Sequence, residues 1–193
     1  MFRRLTAVIA VASVAACSKA EAPKTDSTAA SASVAPATPA PAAPSASMPG
    51  IAMRDASGKE LGSLMVMEAA GGLSVTGALR GLPPGEHAIH FHMTGKCEAP
   101  FETAGSHWNP TNKKHGSLNP AGPHLGDMAN FNVAADSSVT ISMITRGGTL
   151  RGADALLDAD GAAAVIHSGP DDLKTDPAGN SGAKIACGVV TGG

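Results

Sequence analysis

Leu73-Ser74-Val75-Thr76-Gly77-Ala78-Leu79-Arg80 sets Leu73, Val75, Gly77 and Leu79 against Ser74, Thr76, Ala78 and Arg80. A period of two sends successive side chains to opposite faces, so the stretch reads as a half-buried β-strand. Leu61 to Glu68 reads as its antiparallel partner, joined through a Gly71-Gly72 turn. Val139, Ile141 and Met143 alternate with Thr140 and Ser142 in the same way. Ile51 to Asp55, Glu86 to His92, Ala162 to His167 and Lys184 to Val190 are further short strand candidates. No segment sustains a helical period, and Gly-rich turns recur at strand-length spacing. The fold class is all-β, a sandwich or flattened barrel. Residues 93–130 and 168–183 break the pattern, being long, polar and rich in Gly, Pro and Asn. Loops of that length in a small domain are functional or disordered.

The chain has 193 residues, 43% of them hydrophobic, with one Trp, four Phe and no Tyr. Ala, Gly and Pro swell the apolar count, so the length supports one domain with tails. From residue 50 onward 10 Lys+Arg face 14 Asp+Glu, a net charge of −4. No basic patch is present, which disfavours a nucleic-acid partner. Residues 1–16 carry a cationic Met1-Phe2-Arg3-Arg4 start and an apolar Leu5 to Ala16 run, the layout of a secretory signal. Val14-Ala15-Ala16-Cys17 resembles a bacterial lipobox, with Cys17 lipidated; the other reading is cleavage elsewhere in the Ala run. Ser18 implies no retention at the inner membrane, so the expected location is the periplasm, anchored to the outer membrane by the N-terminal lipid only.

Of the 32 residues 18–49, 26 are Ala, Pro, Ser or Thr, the composition of a disordered tether. Residues 50–193 are then the functional domain. Three cysteines in an exported chain leave one over. With Cys17 lipidated, Cys97 and Cys187 remain to form a disulfide, or stay as two buried thiols.

All seven histidines fall between His87 and His167. His90 and His92, two apart on a strand, face one side and make a half-site for copper or zinc; a solvated strand face explains the pair equally well. His107, His115, His124 and Asp127 share the first long loop, and three His with one carboxylate suit tetrahedral zinc. A His-rich solvent loop is the competing reading.

Gly85 to His92, Gly105-Ser106-His107-Trp108-Asn109-Pro110, Lys114-His115-Gly116, His124-Leu125-Gly126-Asp127, Val165-Ile166-His167 and Gly179 to Val189 together resemble the copper/zinc superoxide dismutases. The resemblance runs in order over residues 51–190. It implies an Ig-like, eight-stranded Greek-key sandwich or flattened barrel with two long functional loops. It implies copper on His90, His92, His107 and His167, and zinc on His107, His115, His124 and Asp127. His107 then bridges both metals, His87 is structural, and Asp171 links His90 to His115. Asp172 is expected to be a solvated charge or loop cap. Superoxide is the implied substrate, dismuted to dioxygen and hydrogen peroxide by alternate reduction and reoxidation of copper while zinc holds His107. The protein is expected as a monomer or homodimer.

Two positions depart from the family. Lys184 stands where an arginine usually guides the anion, which implies a slower or more salt-sensitive enzyme. Trp108 follows His107 where many members carry Phe, and is expected to pack under the site. The rival reading from the same residues is a non-catalytic copper/zinc-binding lipoprotein. Copper delivery lacks a Cys-x-x-Cys or Met-rich docking segment, and a copper-only relative would not need the complete zinc set.

Overall fold

Alternating burial along each strand builds the architecture. The computed structural model describes residues 50–191. The expected leader, Cys17 and the 18–49 tether lie outside the described residues. In chain order the strands are β1 (Gly50–Asp55), β2 (Glu60–Ala69), β3 (Gly72–Arg80), β4 (Gly85–His87), β5 (Ile89–His92), β6 (Phe131–Val133), β7 (Ser138–Ile144), β8 (Ala162–His167) and β9 (Lys184–Val190). A single 3₁₀ turn, Glu102–Ala104, is the one helical element among the described residues.

Seven strands form an antiparallel sheet in the order β5-β8-β9-β1-β2-β3-β7, and β4 pairs with β6. The connections β3 to β4 and β7 to β8 cross between distant strands, as a Greek key requires. The expected Glu86–His92 strand is broken at Ala88, whose N–H donates to Gly169 O while its carbonyl accepts from His167 N. There the chain changes partner, from β6 to β8. Counted as one kinked run, β4 and β5 bring the total to the expected eight strands. β6 turns directly into β7 through Ser137 N–H to Ala134 O, which curls the sheet toward closure. The short β6 had no sequence signal. The β2–β3 turn falls on Ala70-Gly71 rather than Gly71-Gly72, because Gly72 already pairs with Ala69.

Ile51, Met53, Leu64, Val66, Leu73, Val75, Ile89, Phe91, Ile141 and Ile166 are at most 1% exposed and fill the interior. β8 is buried on both faces. Ala162, Ala164 and Ile166 join the main core, while Ala163 and Val165 pack in a second cluster with Phe101, Ala104 and Cys187. On β5 the parity is the same: Ile89 and Phe91 point into the barrel, so His90 and His92 point out of it. The histidines therefore sit on the outer wall, roofed by the two long loops.

Candidate metal centre

The free edge of β5 is where the first loop docks. Phe91 N–H donates to Gly126 O at 3.0 Å, Trp108 N–H to Phe91 O at 2.8 Å, and Met93 N–H to Ser106 O at 2.9 Å. These bonds set His107 opposite His92 and Asp127 opposite His90 as isolated bridges. Gly126 permits the approach: a Cβ there would strike the Phe91 carbonyl. Gly116, at φ +94°, lets the first loop lie against the Leu173 backbone of the second, where any Cβ would collide.

The ring orientations follow from what each histidine donates to. His90 Nε2 and His115 Nε2 donate to the two oxygens of Asp171, at 2.8 and 2.9 Å. His92 Nδ1 donates to Gly105 O at 2.8 Å and His167 Nδ1 to Gly182 O at 3.2 Å. Each bond selects a tautomer and leaves the opposite nitrogen with a lone pair. The remaining atoms, His90 Nδ1, His92 Nε2, His107 Nε2, His115 Nδ1 and His167 Nε2, are buried without any hydrogen-bond partner. Five orphaned ring nitrogens in one small domain are costly unless something binds them.

They converge in two sets that share His107. In His90, His92, His107 and His167, and again in His107, His115, His124 and Asp127, the candidate ligand atoms of each set lie within 4.8 Å of one another. In the second set the Nδ1 atoms of His107, His115 and His124 stand 2.9, 3.1 and 3.2 Å from a single oxygen, Asp127 Oδ1. A tetrahedral cation with bonds near 2.1 Å separates its ligands by roughly 3.4 Å. Asp127 Oδ2 is turned away, accepting from Gly116 N–H at 2.8 Å and His124 N–H at 3.0 Å. Donor chemistry and orphaned atoms both fit a four-histidine copper site joined through one imidazole to a His₃Asp zinc site.

Burial, the leading cause, holds His90 down at about 3 and His92 at about 2, with His107's neighbouring charge adding to both. Burial likewise lowers His107, and lowers His167 to about 4 with further contributions from His107 and Lys184. For Asp127 burial pushes upward but is overcome by the imidazoles of His107, His115 and His124 gathered around it, which hold the carboxyl well below the usual range. Asp171 is lowered in the same manner by His115 and His90. His115 is pushed down by burial but raised overall, to about 9, by Asp127 and Asp171. His90, His92 and His167 thus stay neutral near pH 7, while His115 keeps its proton between two carboxylates that stay charged.

The remaining expected residues fall around this cluster. His87 is held between carbonyls, with its ring nitrogens 2.8 Å from His167 O and Pro83 O. Asp172 caps its own loop, accepting from Lys174 N–H, Thr175 N–H and Asn180 Nδ2. Trp108 is 3% exposed and joins the main core. Cys97 and Cys187 are disulfide-bonded with Cα atoms 5.6 Å apart.

Lys184 reaches its place through a bulge. β8 and β9 pair Ile166 with Ala186 and then His167 with Lys184, so Ile185 is the extra residue. The slip moves Lys184 off the core-facing parity of Ala186 and sets it beside His167. Its ammonium donates to Glu102 Oε2 at 3.0 Å and Phe101 O at 3.3 Å. Sequence reasoning missed Glu102, for which no spacing signal exists. It also missed Asn130, which grips the Asp171 backbone with Oδ1 at 2.9 Å and Nδ2 at 2.8 Å.

A β-barrel whose outer wall carries two histidine-rich clusters, each able to hold a metal ion and sharing His107, is the class of protein defined here. Residues 61–190 match the family described as copper/zinc superoxide dismutase, and the chain belongs to that family. A superoxide dismutase [Cu-Zn] of Aquifex aeolicus is 43% identical over 140 residues, covering 70% of this chain and 82% of that one. The superoxide dismutase [Cu-Zn] of Caulobacter vibrioides is 43% identical over 143 residues, covering 72% and 82%. Among solved structures, a SOD-like protein from Bacillus subtilis superposes with a TM-score of 0.71 at 37% identity, over 74% of this chain and 97% of that one. The Cu/Zn superoxide dismutase of Brucella abortus gives 0.59 at 28% identity, over 74% and 98%.

Proposed function

We propose that the chain is an exported superoxide dismutase, carried on a lipid at Cys17 in the periplasm, with residues 18–49 as its tether. His90, His92, His107 and His167 would hold copper, and His107, His115, His124 and Asp127 would hold zinc. The observation that carries this reading is the set of five buried, partnerless ring nitrogens divided between two clusters that share His107.

Copper held there would supply one-electron redox chemistry, and zinc a fixed positive charge. The net reaction takes two superoxides and two protons to dioxygen and hydrogen peroxide. His107 is suited to carry one of those protons at Nε2, the atom facing the four-histidine cluster, while Nδ1 stays turned toward Asp127 Oδ1. Asp171 keeps the rings of His90 and His115 from rotating as charge changes. Lys184, beside His167, supplies positive charge for the approaching anion in a domain of net negative charge.

The test is the dismutation rate of the full chain loaded with one copper and one zinc, against its zinc-only and metal-free forms. A copper-dependent rate approaching the diffusional range is expected. A rate no better than free copper, with both metals tightly held, would establish the non-catalytic metal-binding reading instead.

A further inference from the structure

Lys184 carries two partners of different kinds. The Phe101 carbonyl fixes the ammonium without altering its charge, and the Glu102 carboxylate adds a full negative charge 3.0 Å away. The lysine side chain is 13% exposed and that of Glu102 is 75% exposed. An ion pair with so exposed a carboxylate is a weak stabiliser, so the fold has little need of it. Its electrostatic consequence is larger, because Lys184 is the cation that the β8–β9 bulge places beside His167. The backbone prepares the arrangement. Phe101 sits at φ +74°, in the left-handed region, at the start of the Glu102–Ala104 turn. The Cys97–Cys187 disulfide ties this segment to β9, three residues beyond Lys184.

We propose that Glu102 is a positioning residue that cancels much of the field of Lys184, so the Glu102–Lys184 pair sets how strongly the metal centre attracts small anions. The proposal rests on the dismutase reading for its substrate, but the attraction acts on any small anion approaching the copper cluster. Neutralising Glu102 leaves the ammonium anchored on the Phe101 carbonyl and unmasks its charge. Lysine at this position is then only half of the local charge arrangement; the carboxylate beside it is the other half.

The experiment uses the full chain loaded with copper and zinc, as wild type, Glu102→Gln and Glu102→Ala. Glu98→Gln is the control, since it removes the same charge from the same segment without touching Lys184. Two quantities are read across ionic strength: the superoxide rate constant and, by optical titration, the affinity for azide as a non-reacting probe anion. At low salt both Glu102 variants are expected to react roughly two- to fivefold faster and to bind azide tighter by a similar factor. The gain should vanish near 1 M salt, where screening acts within about 3 Å. Glu98→Gln should show less than half of it. Unchanged azide affinity, a gain that survives high salt, or an equal gain in Glu98→Gln would each overturn the proposal. Failure of the dismutase reading is separately visible: wild type would show no rate above free copper while the azide titrations still reported on Glu102.

Discussion

The barrel wall and the two loops that roof it are held by different physics. In the wall, β2 and β3 pair over eight register positions, and Leu64, Val66, Leu73 and Val75 are wholly buried behind them. Its stability comes from apolar area removed from water and from a backbone ladder. In the loops, four aspartates do the corresponding work. Asp127 gathers three histidines and two backbone N–H groups, and Asp171 joins His90 to His115. Asp172 caps its own turn, and Asp176 ties the loops together through His115 N–H at 2.8 Å and Lys114 at 2.9 Å. The β2–β3 part of the wall has no such unpartnered groups. The roof closes over a ligand set, partly its own and partly from β5 and β8, whose buried nitrogens lack partners, so it is built to be finished by cations.

Acid should separate the two regions most strongly. Unfolded histidines titrate near 6.5, whereas burial holds His90, His92 and His167 at about 3, 2 and 4 in the metal-free protein. Between those values and 6.5 the unfolded chain binds more protons, so stability is lost as pH falls, by at most about 1.4 kcal/mol per unit for each histidine. His115 runs the other way: raised to about 9, its contribution is complete below 6.5 and is lost between 6.5 and 9. Denaturant titrations of the metal-free protein should therefore peak near neutral pH, with the acid limb several times steeper. An acid limb as shallow as the alkaline one would mean that the roof does not hold its histidines neutral.

Cutting the tie between the regions comes next. Replacing Cys97 and Cys187 by Ser opens a loop spanning 90 residues, which on the chain-entropy account costs about 4–5 kcal/mol. The melting temperature should drop accordingly. Hydrogen exchange should rise first around Phe101–Ala104, which packs with Cys187, rather than in β2 and β3.

Leu64→Ala attacks the wall alone. A cavity at this wholly buried position should cost about 2–5 kcal/mol while leaving zinc affinity unchanged. Weakened zinc binding in that variant would show that wall and roof are energetically one unit. Asp171→Asn attacks the roof alone, leaving one acceptor oxygen and one opposing N–H donor where two oxygens orient His90 and His115. Metal affinity should fall about 10- to 100-fold by competition with chelators, with a drop in the metal-free melting temperature smaller than that of Leu64→Ala. The smallest effect is expected of Lys184→Arg: a rate gain of at most about threefold at low salt, since Glu102 remains within reach of the new fork.

The alternation from Leu73 to Arg80 was enough to read β3, as that of Val139 to Met143 was for β7, because a half-buried strand writes its two faces into the sequence. The loop limits were equally readable: 93–130 and 168–183 end where β6 and β9 begin. Periodicity did not reveal the break at Ala88 or the three-residue β6, since both arise from the sheet curling round to meet itself.

The ligand residues were visible as residue types, and their order along the chain carried the family resemblance. What the sequence by itself determined was therefore the all-β class, the position of the loops and the chemical identity of a histidine-aspartate cluster. Which ring nitrogen faces a metal was settled only by tertiary bonds, to carbonyls such as Gly105 and Gly182 and to the shared Asp171. Strand parity alone would have sent Lys184 into the core with Ala186. One extra residue, Ile185, opposite the end of β8 turns it outward to His167 and Glu102. Such a bulge depends on how two strands register against each other, and neither strand records that alone.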